Sequence, residues 1–145
     1  MPVQPYLFFE GRCEEAAEFY QGALDAQVVM SMRFKDAPPP EPGAAEANPG
    51  CGPTADMAEK IMHMALQVGD TTILASDGRC SGQPKFEGFG LAITVDDEAT
   101  CRRRFNALAE GGNVMMPLAR TFYSPLFGMT HDKFGVLWMI MVKGD

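Results

Sequence analysis

FYQGALDAQVVM, residues 19–30, and FNALAEGGNVMM, residues 105–116, align without a gap. Phe19 falls on Phe105, Val28 on Val114 and Met30 on Met116. In each copy a stretch with helical spacing runs straight into an extended one. A mixed unit that recurs within one chain is a strong architectural signal, because each copy specifies the same supersecondary piece.

Outward from the first copy, Cys13 to Leu24 reads as a helix. Ala16, Tyr20, Ala23 and Leu24 share one face, and Glu14, Glu15 and Glu18 sit mostly elsewhere. Val3 to Glu10 before it reads as a strand. Gln27 to Lys35 after it alternates, with Val28, Met30, Met32 and Phe34 on one side and Gln27, Ser31, Arg33 and Lys35 on the other. Residues 36–59 hold PPPEP, NPG and CGP and read as a long loop. Lys60 to Val68 and Thr71 to Ser76 form two strands around Gly69-Asp70, a two-residue hairpin signal. Residues 77–87 are polar and glycine-containing, a linker.

The order then repeats. Gly88 to Val95 is a strand, Asp96 or Asp97 an N-cap, and the helix runs to about Glu110. Gly111-Gly112 ends it, Asn113 to Ala119 is a strand, and two more strands surround THDKFG. The reading is α+β: two βαβββ modules forming a curved mixed sheet around a cavity. It is one domain over residues 1–145, with module one at 1–77, a linker at 78–87 and module two at 88–145.

Composition limits the function. The chain has 145 residues, 46% hydrophobic and 21% charged, as a soluble globular domain does. Its net charge of −7 argues against a nucleic-acid surface and mildly favours neutral or cationic ligands. No secretory signal and no span-length apolar run is visible, so a cytoplasmic location is expected. Cys13, Cys51, Cys80 and Cys101 show no CxxC pairing, which predicts free thiols in a reducing compartment.

One face of most strands is apolar enough to lie under the helices: Met62, Met64, Leu66 and Val68; Phe89, Leu91, Ile93 and Val95; Val136, Trp138, Ile140 and Val142. The other face mixes Gln4, Tyr6 and Phe8 with Ser31 and Arg33, Ile61, His63, Ala65 and Gln67, Gly88, Gly90 and Ala92, and Leu137, Met139 and Met141. It is too polar for a dry core and too apolar for open water. Such a face suits a cleft for a small amphipathic molecule or the packing of a second subunit.

PYLFFEGRCEEAAEFYQGAL, IMHMALQVGDTTILASD and GMTHDKFGVLWMI together resemble the PhnB-like branch of the vicinal-oxygen-chelate (glyoxalase/bleomycin-resistance) superfamily. The resemblance spans essentially the whole chain and implies two βαβββ modules around a cavity, usually in a homodimer. Members of the group often bear the label 3-demethylubiquinone 3-methyltransferase. The chain shows no glycine-rich strand-turn-helix suited to a nucleotide-like cofactor and has no room for an added methyltransferase domain.

Metal-using relatives place donors on the first and last strands of each module. Carried over one position at a time, these fall on Gln4 (or Pro5 if the alignment slips), near Leu74 or Ser76, on Gly90 and on Met139. None is a good hard donor, and neither His63 nor His131 has an acid or a second histidine at metal spacing, so no metal and no cofactor is expected. Ser76 and Ser124 lie in no nucleophile elbow. Cys13 beside Arg12 at a helix start is a possible low-pKa thiol.

The expectation is a metal-free small-molecule binder with no nucleic-acid or membrane partner, using Gln4, Tyr6, Phe8, Arg33, His63, Gln67, Phe122 and Met139. The alternatives are an enzyme that uses His63, Gln4 or Tyr6, a glyoxalase- or dioxygenase-type enzyme with a relocated metal site, and a structural dimer without a ligand.

Overall fold

The structure is a computed structural model and describes residues 1–36, 58–78 and 82–144. Most of the proline-rich loop, including Cys51, and Cys80 lie outside the described residues. The chain divides into two compact units, Met1–Pro84 and Lys85–Asp145.

The first unit runs β1 (Tyr6–Phe8), α1 (Cys13–Leu24), β2 (Gln27–Arg33), β3 (Ile61–Val68) and β4 (Thr71–Ser76). Its sheet has the order β1-β4-β3-β2. β1 is parallel to β4, and the other pairs are antiparallel. β1 is shorter than the expected strand, and Pro5 stands immediately before it. Pro5 has no N–H to give a ladder, although its carbonyl accepts the N–H of Leu74 at 2.9 Å. β2 also stops early: Phe34–Asp36 closes into a single 3-10 turn.

The second unit repeats the plan as β5 (Leu91–Val95), α2 (Glu98–Ala109), β6 (Asn113–Ala119), β7 (Phe127–His131) and β8 (Leu137–Val142), in the order β5-β8-β7-β6. β6 spans the positions that the repeat aligns with β2, seven residues in each. The ladders agree too. Val28 pairs with Leu66 and Met30 with Ala65; Val114 pairs with Thr130 and Met116 with Met129. In both strands a β-bulge sits at the same place, leaving Val29 and Met115 as the extra residue. The sequence repeat is therefore a repeat of backbone irregularity as well as of strand and helix.

In the first unit the apolar stripe of α1 (Cys13, Ala16, Ala17, Tyr20, Ala23, Leu24) buries Leu7, Met64, Leu66, Ile73 and Ala75 of the sheet, together with Phe9. In the second, Cys101, Phe105 and Leu108 of α2 face Val136, Trp138, Ile140 and Val142. Gly128 is needed beneath that helix, because a Cβ there would stand 2.8 Å from both Phe105 and Leu118. These cores follow the expected alternation in part: Met62, Val68, Leu91, Ile93 and Val95, expected under the helices, are half-buried. Ile61, expected on the mixed face, is buried. Phe89 lies before β5, is 45% exposed and meets Phe86 edge-on.

Two buried carboxylates hold the units' turns. Asp77, 1% exposed, is no linker residue: its Oδ1 accepts the N–H groups of Gly11 (3.1 Å) and Cys13 (2.7 Å), and its Oδ2 accepts that of Ile61 (2.6 Å). Asp132, 3% exposed, accepts the N–H groups of Phe134 (2.9 Å) and Val136 (3.1 Å), and its Oδ2 accepts the indole N–H of Trp138 (2.8 Å). Gly135, at φ 95°, makes that turn possible. The D-x-F-G-x-x-W signature is thus a folding device: one carboxylate satisfies a turn and orients the largest core side chain. No helix among the described residues is long and apolar enough to cross a membrane.

Candidate functional site: the open face of the first sheet

The face of the first sheet away from α1 is defined by its register. Phe8 lies beside Ser76, and Tyr6 beside Leu74, Ala65 and Met30 in one row across the four strands. His63 pairs with Met32, while Gln67 pairs with Thr72 and Gln27. The bulge at Val29 in β2 decides this composition. It turns Met30 and Met32 toward this face and places Ser31 opposite Met64 on the helix side, and a second irregularity lies at Met62 on β3. Strict alternation had assigned Ser31 and Arg33 here, which is corrected.

Arg33 is held elsewhere. Its guanidinium makes a bidentate ion pair with Glu14 of α1 (3.0 and 3.1 Å) and donates to the carbonyl of Glu59. Glu14 is consequently drawn below the usual glutamate range, first by that hydrogen bond. Arg33 ties the edge strand to the helix and is not available as a ligand contact on the open face.

At the centre of the face, Tyr6 Oη and His63 Nδ1 are 2.8 Å apart. The Tyr6 ring stacks on Phe8, with centroids 5.0 Å apart and planes inclined by 28°. Tyr6 is 39% exposed, Phe8 49% and Met30 43%, so the group is half in solvent. Burial first, and then the proximity of Cys13, raise the Tyr6 phenol above its ordinary value; a hydrogen bond with Ser76 pulls the other way. The phenol is therefore protonated at neutral pH and able to share its proton with the imidazole. No strand residue on this face is charged. Glu10, just beyond β1, comes near Phe8 across Gly78, where an added Cβ would stand 2.8 Å from the carboxylate and 3.1 Å from the ring.

The remaining expected residues are dispersed. Gln67 is on the face, but its amide serves the hairpin: Nε2 donates to the Gly69 carbonyl (2.8 Å) and Oε1 accepts from Thr72 (2.9 Å). Gln4 is exposed ahead of β1. Phe122 and Met139 belong to the second unit, Phe122 fully exposed and edge-on to Tyr123, and Met139 half-buried on β8. Cys13 is the reverse of a reactive thiol. It is 1% exposed and pushed well above the usual thiol range, by burial first and then by Asp77 and Glu14. Arg12, the neighbour expected to activate it, pairs with Glu15 at 2.9 Å. Sequence reading missed Asp77 and Met32, since both depend on pairings distant in the chain.

The positions matching the metal-bearing ones of relatives do not fit a divalent ion. They supply an exposed amide (Gln4), an aliphatic chain (Leu74), a hydroxyl close to the Ile61 carbonyl (Ser76), no side chain (Gly90) and a thioether (Met139). A hard cation wants several oxygen or imidazole donors at one point. Among the described residues, no three His, Cys, Asp or Glu side chains come together.

With this geometry in hand, the chain can be set beside known proteins. The family model described as 3-demethylubiquinone-9 3-methyltransferase matches residues 2–141. The protein YjdN of Escherichia coli is 34% identical over 142 residues, 98% of this chain and 95% of that one. Protein PA1353 from Pseudomonas aeruginosa is 37% identical with a TM-score of 0.80, covering 100% of this chain and 99% of that one. A PhnB protein from Bacillus cereus, described as a putative 3-demethylubiquinone-9 3-methyltransferase, is 25% identical with a TM-score of 0.75, covering 98% and 99%. In fold alone, at 13% identity and a TM-score of 0.64, the chain matches a glyoxylase/bleomycin resistance protein/dioxygenase domain from Frankia over 99% of this chain and 94% of that one. From the first residues to the last strand, the chain belongs to the PhnB-like family described as 3-demethylubiquinone-9 3-methyltransferase, on a glyoxalase/bleomycin-resistance fold.

Proposed function

We propose that this protein is a small-molecule binder whose ligand rests on the open face of the first sheet. The observation that carries the reading is the Tyr6–His63 pair, 2.8 Å apart and half-exposed among Phe8, Met30 and Ala65. Two polar groups that converge on an apolar, accessible surface give a ligand both area and orientation. Methyl transfer, the activity in the family's description, is not extended to this chain, because its sequence offers no nucleotide-cofactor motif.

A thermal-shift screen of small molecules, run with and without added divalent cations, tests the reading. Ligands that bind the native state raise the melting temperature, by an amount that grows with the ratio of free ligand to Kd. Compounds that stabilise the parent and lose their effect in the Tyr6→Phe/His63→Ala variant are the expected outcome. Hits that stabilise parent and variant alike would move the site off this face. A hit consumed by the parent, and bound but not consumed by His63→Ala, would make the binder an enzyme at the same site.

A further inference from the structure

Resting on that reading, the chemistry of the pair also selects a class of ligand. A neutral imidazole has one N–H and one bare nitrogen. When Tyr6 Oη donates to His63 Nδ1, the pair keeps Nε2–H as a donor for a ligand and a phenol lone pair as an acceptor. When Nδ1–H donates to Tyr6 Oη, Nε2 becomes the acceptor and the phenol O–H the donor. Both tautomers leave one donor, one acceptor and no net charge. A hydroxyl answers either arrangement, since it donates and accepts. A carboxylate only accepts and an ammonium only donates.

The surroundings point the same way. Tyr6, Leu74, Ala65 and Met30 form a row across four strands, with the smallest side chain between an aromatic and a thioether. Phe8 extends the aromatic end by stacking on Tyr6. Aromatic and thioether groups favour a flat, polarizable ring. The chain's negative charge is not gathered here, because no strand residue of this face is an aspartate or glutamate. Glu10 near Phe8 is the group that would favour a cation instead, so a cation belongs in the test.

We propose that the open face of the first sheet takes an uncharged aromatic molecule bearing a hydroxyl group. Its ring lies along the Tyr6–Leu74–Ala65–Met30 row, and its hydroxyl bonds to the Tyr6–His63 pair.

Four probes that share a benzene ring separate the possibilities: 4-methylphenol, toluene, benzylammonium and benzoate. Each is titrated into the full chain at about pH 8, above the ordinary imidazole range. The methyl signals of Met30 and Met32 and the amide signals of Tyr6 and His63 are followed by NMR. 4-Methylphenol is expected to bind roughly fivefold or more tightly than toluene, the size of one net hydrogen bond, and more tightly than either ion. Tyr6→Phe, which keeps the ring, and His63→Ala should each shrink the ratio of 4-methylphenol affinity to toluene affinity. Benzylammonium or benzoate binding as tightly as 4-methylphenol overturns the ligand class, and so does a phenol preference that survives both substitutions. Equal shifts from 4-methylphenol and toluene at these four residues overturn the hydroxyl role and leave the binding site standing. If none of the four probes moves these signals, the ligand class falls, and the broader thermal-shift screen then decides the binding reading separately.

Discussion

The two helices begin in different ways. α2 carries its own cap: the Asp97 carboxylate accepts the N–H of Thr100 at 2.7 Å and its hydroxyl at 2.9 Å. α1 begins after Arg12, whose side chain caps nothing. Its first N–H, that of Cys13, is met from 64 residues away by Asp77, which also takes the first N–H of β3. A local cap fixes one helix end. A remote cap fixes a helix end, a strand start and the turn between β1 and α1 at once, so its loss should spread further.

That difference sets the largest effect to be expected. Asp77→Ala would leave three backbone N–H groups without their acceptor in a site that is 1% exposed. Hydrogen bonds to a charged group contribute about 1.5–3 kcal/mol each, and water admitted to the site returns part of that. A loss of roughly 3–5 kcal/mol in urea unfolding is expected. Hydrogen exchange should quicken at Gly11, Cys13 and Ile61 and leave the first turn of α2 as it was. If Asp77→Ala unfolds within about 1 kcal/mol of the parent, the remote cap is not what holds α1.

The second unit has its own buried carboxylate, and its reach is shorter. Asp132 serves residues two, four and six positions ahead. Trp138→Phe removes only the indole bond and leaves the carboxylate its two backbone donors. Its cost should be about 1–2 kcal/mol, from one charge-assisted bond and a smaller ring. Asp132→Ala should cost more than Trp138→Phe and redden the emission of Trp138, the single tryptophan, as its N–H turns to water. An unchanged emission maximum would show that the indole keeps its place without the carboxylate.

These contrasts also mark what the sequence made legible. The βαβββ repeat was readable because its signal is local: helical spacing and then a strand, recurring 86 residues apart in Phe19 and Phe105. β4 and β6 were readable to the residue for the same reason. The cap of α2 was readable as Asp96 or Asp97, because a cap is defined by its next three residues, and the structure selects Asp97. Asp77 was not, since nothing near it in the chain says that it faces Cys13. The open face was half legible. Alternation found Tyr6, Phe8 and His63, but the bulge at Val29 in β2 exchanged Ser31 and Arg33 for Met30 and Met32, and a bulge has no reliable sequence mark unless a glycine announces it. The Tyr6–His63 contact joins residues 57 positions apart and emerges only once β1 pairs with β4 and β4 with β3.

The smallest effect belongs to the exposed cap. Asp97→Ala should lower the melting temperature by less than Asp77→Ala does, because water replaces most of what the carboxylate gives to Thr100. Acid sharpens the point. The Asp97 carboxyl is held below the usual aspartate range, by the Thr100 backbone N–H first and its hydroxyl second, with Arg103 adding a lesser attraction. A carboxyl whose pKa falls on folding stabilises the native state above its unfolded value, near 3.8, and loses that contribution as the pH drops through its folded value. The gap in melting temperature between the parent and Asp97→Ala should therefore be full near neutrality and close below about pH 3.8. A gap that holds constant into that acid range would mean that the cap acts through shape, not charge. Asp97 and Asp77 would then differ in kind as well as in reach.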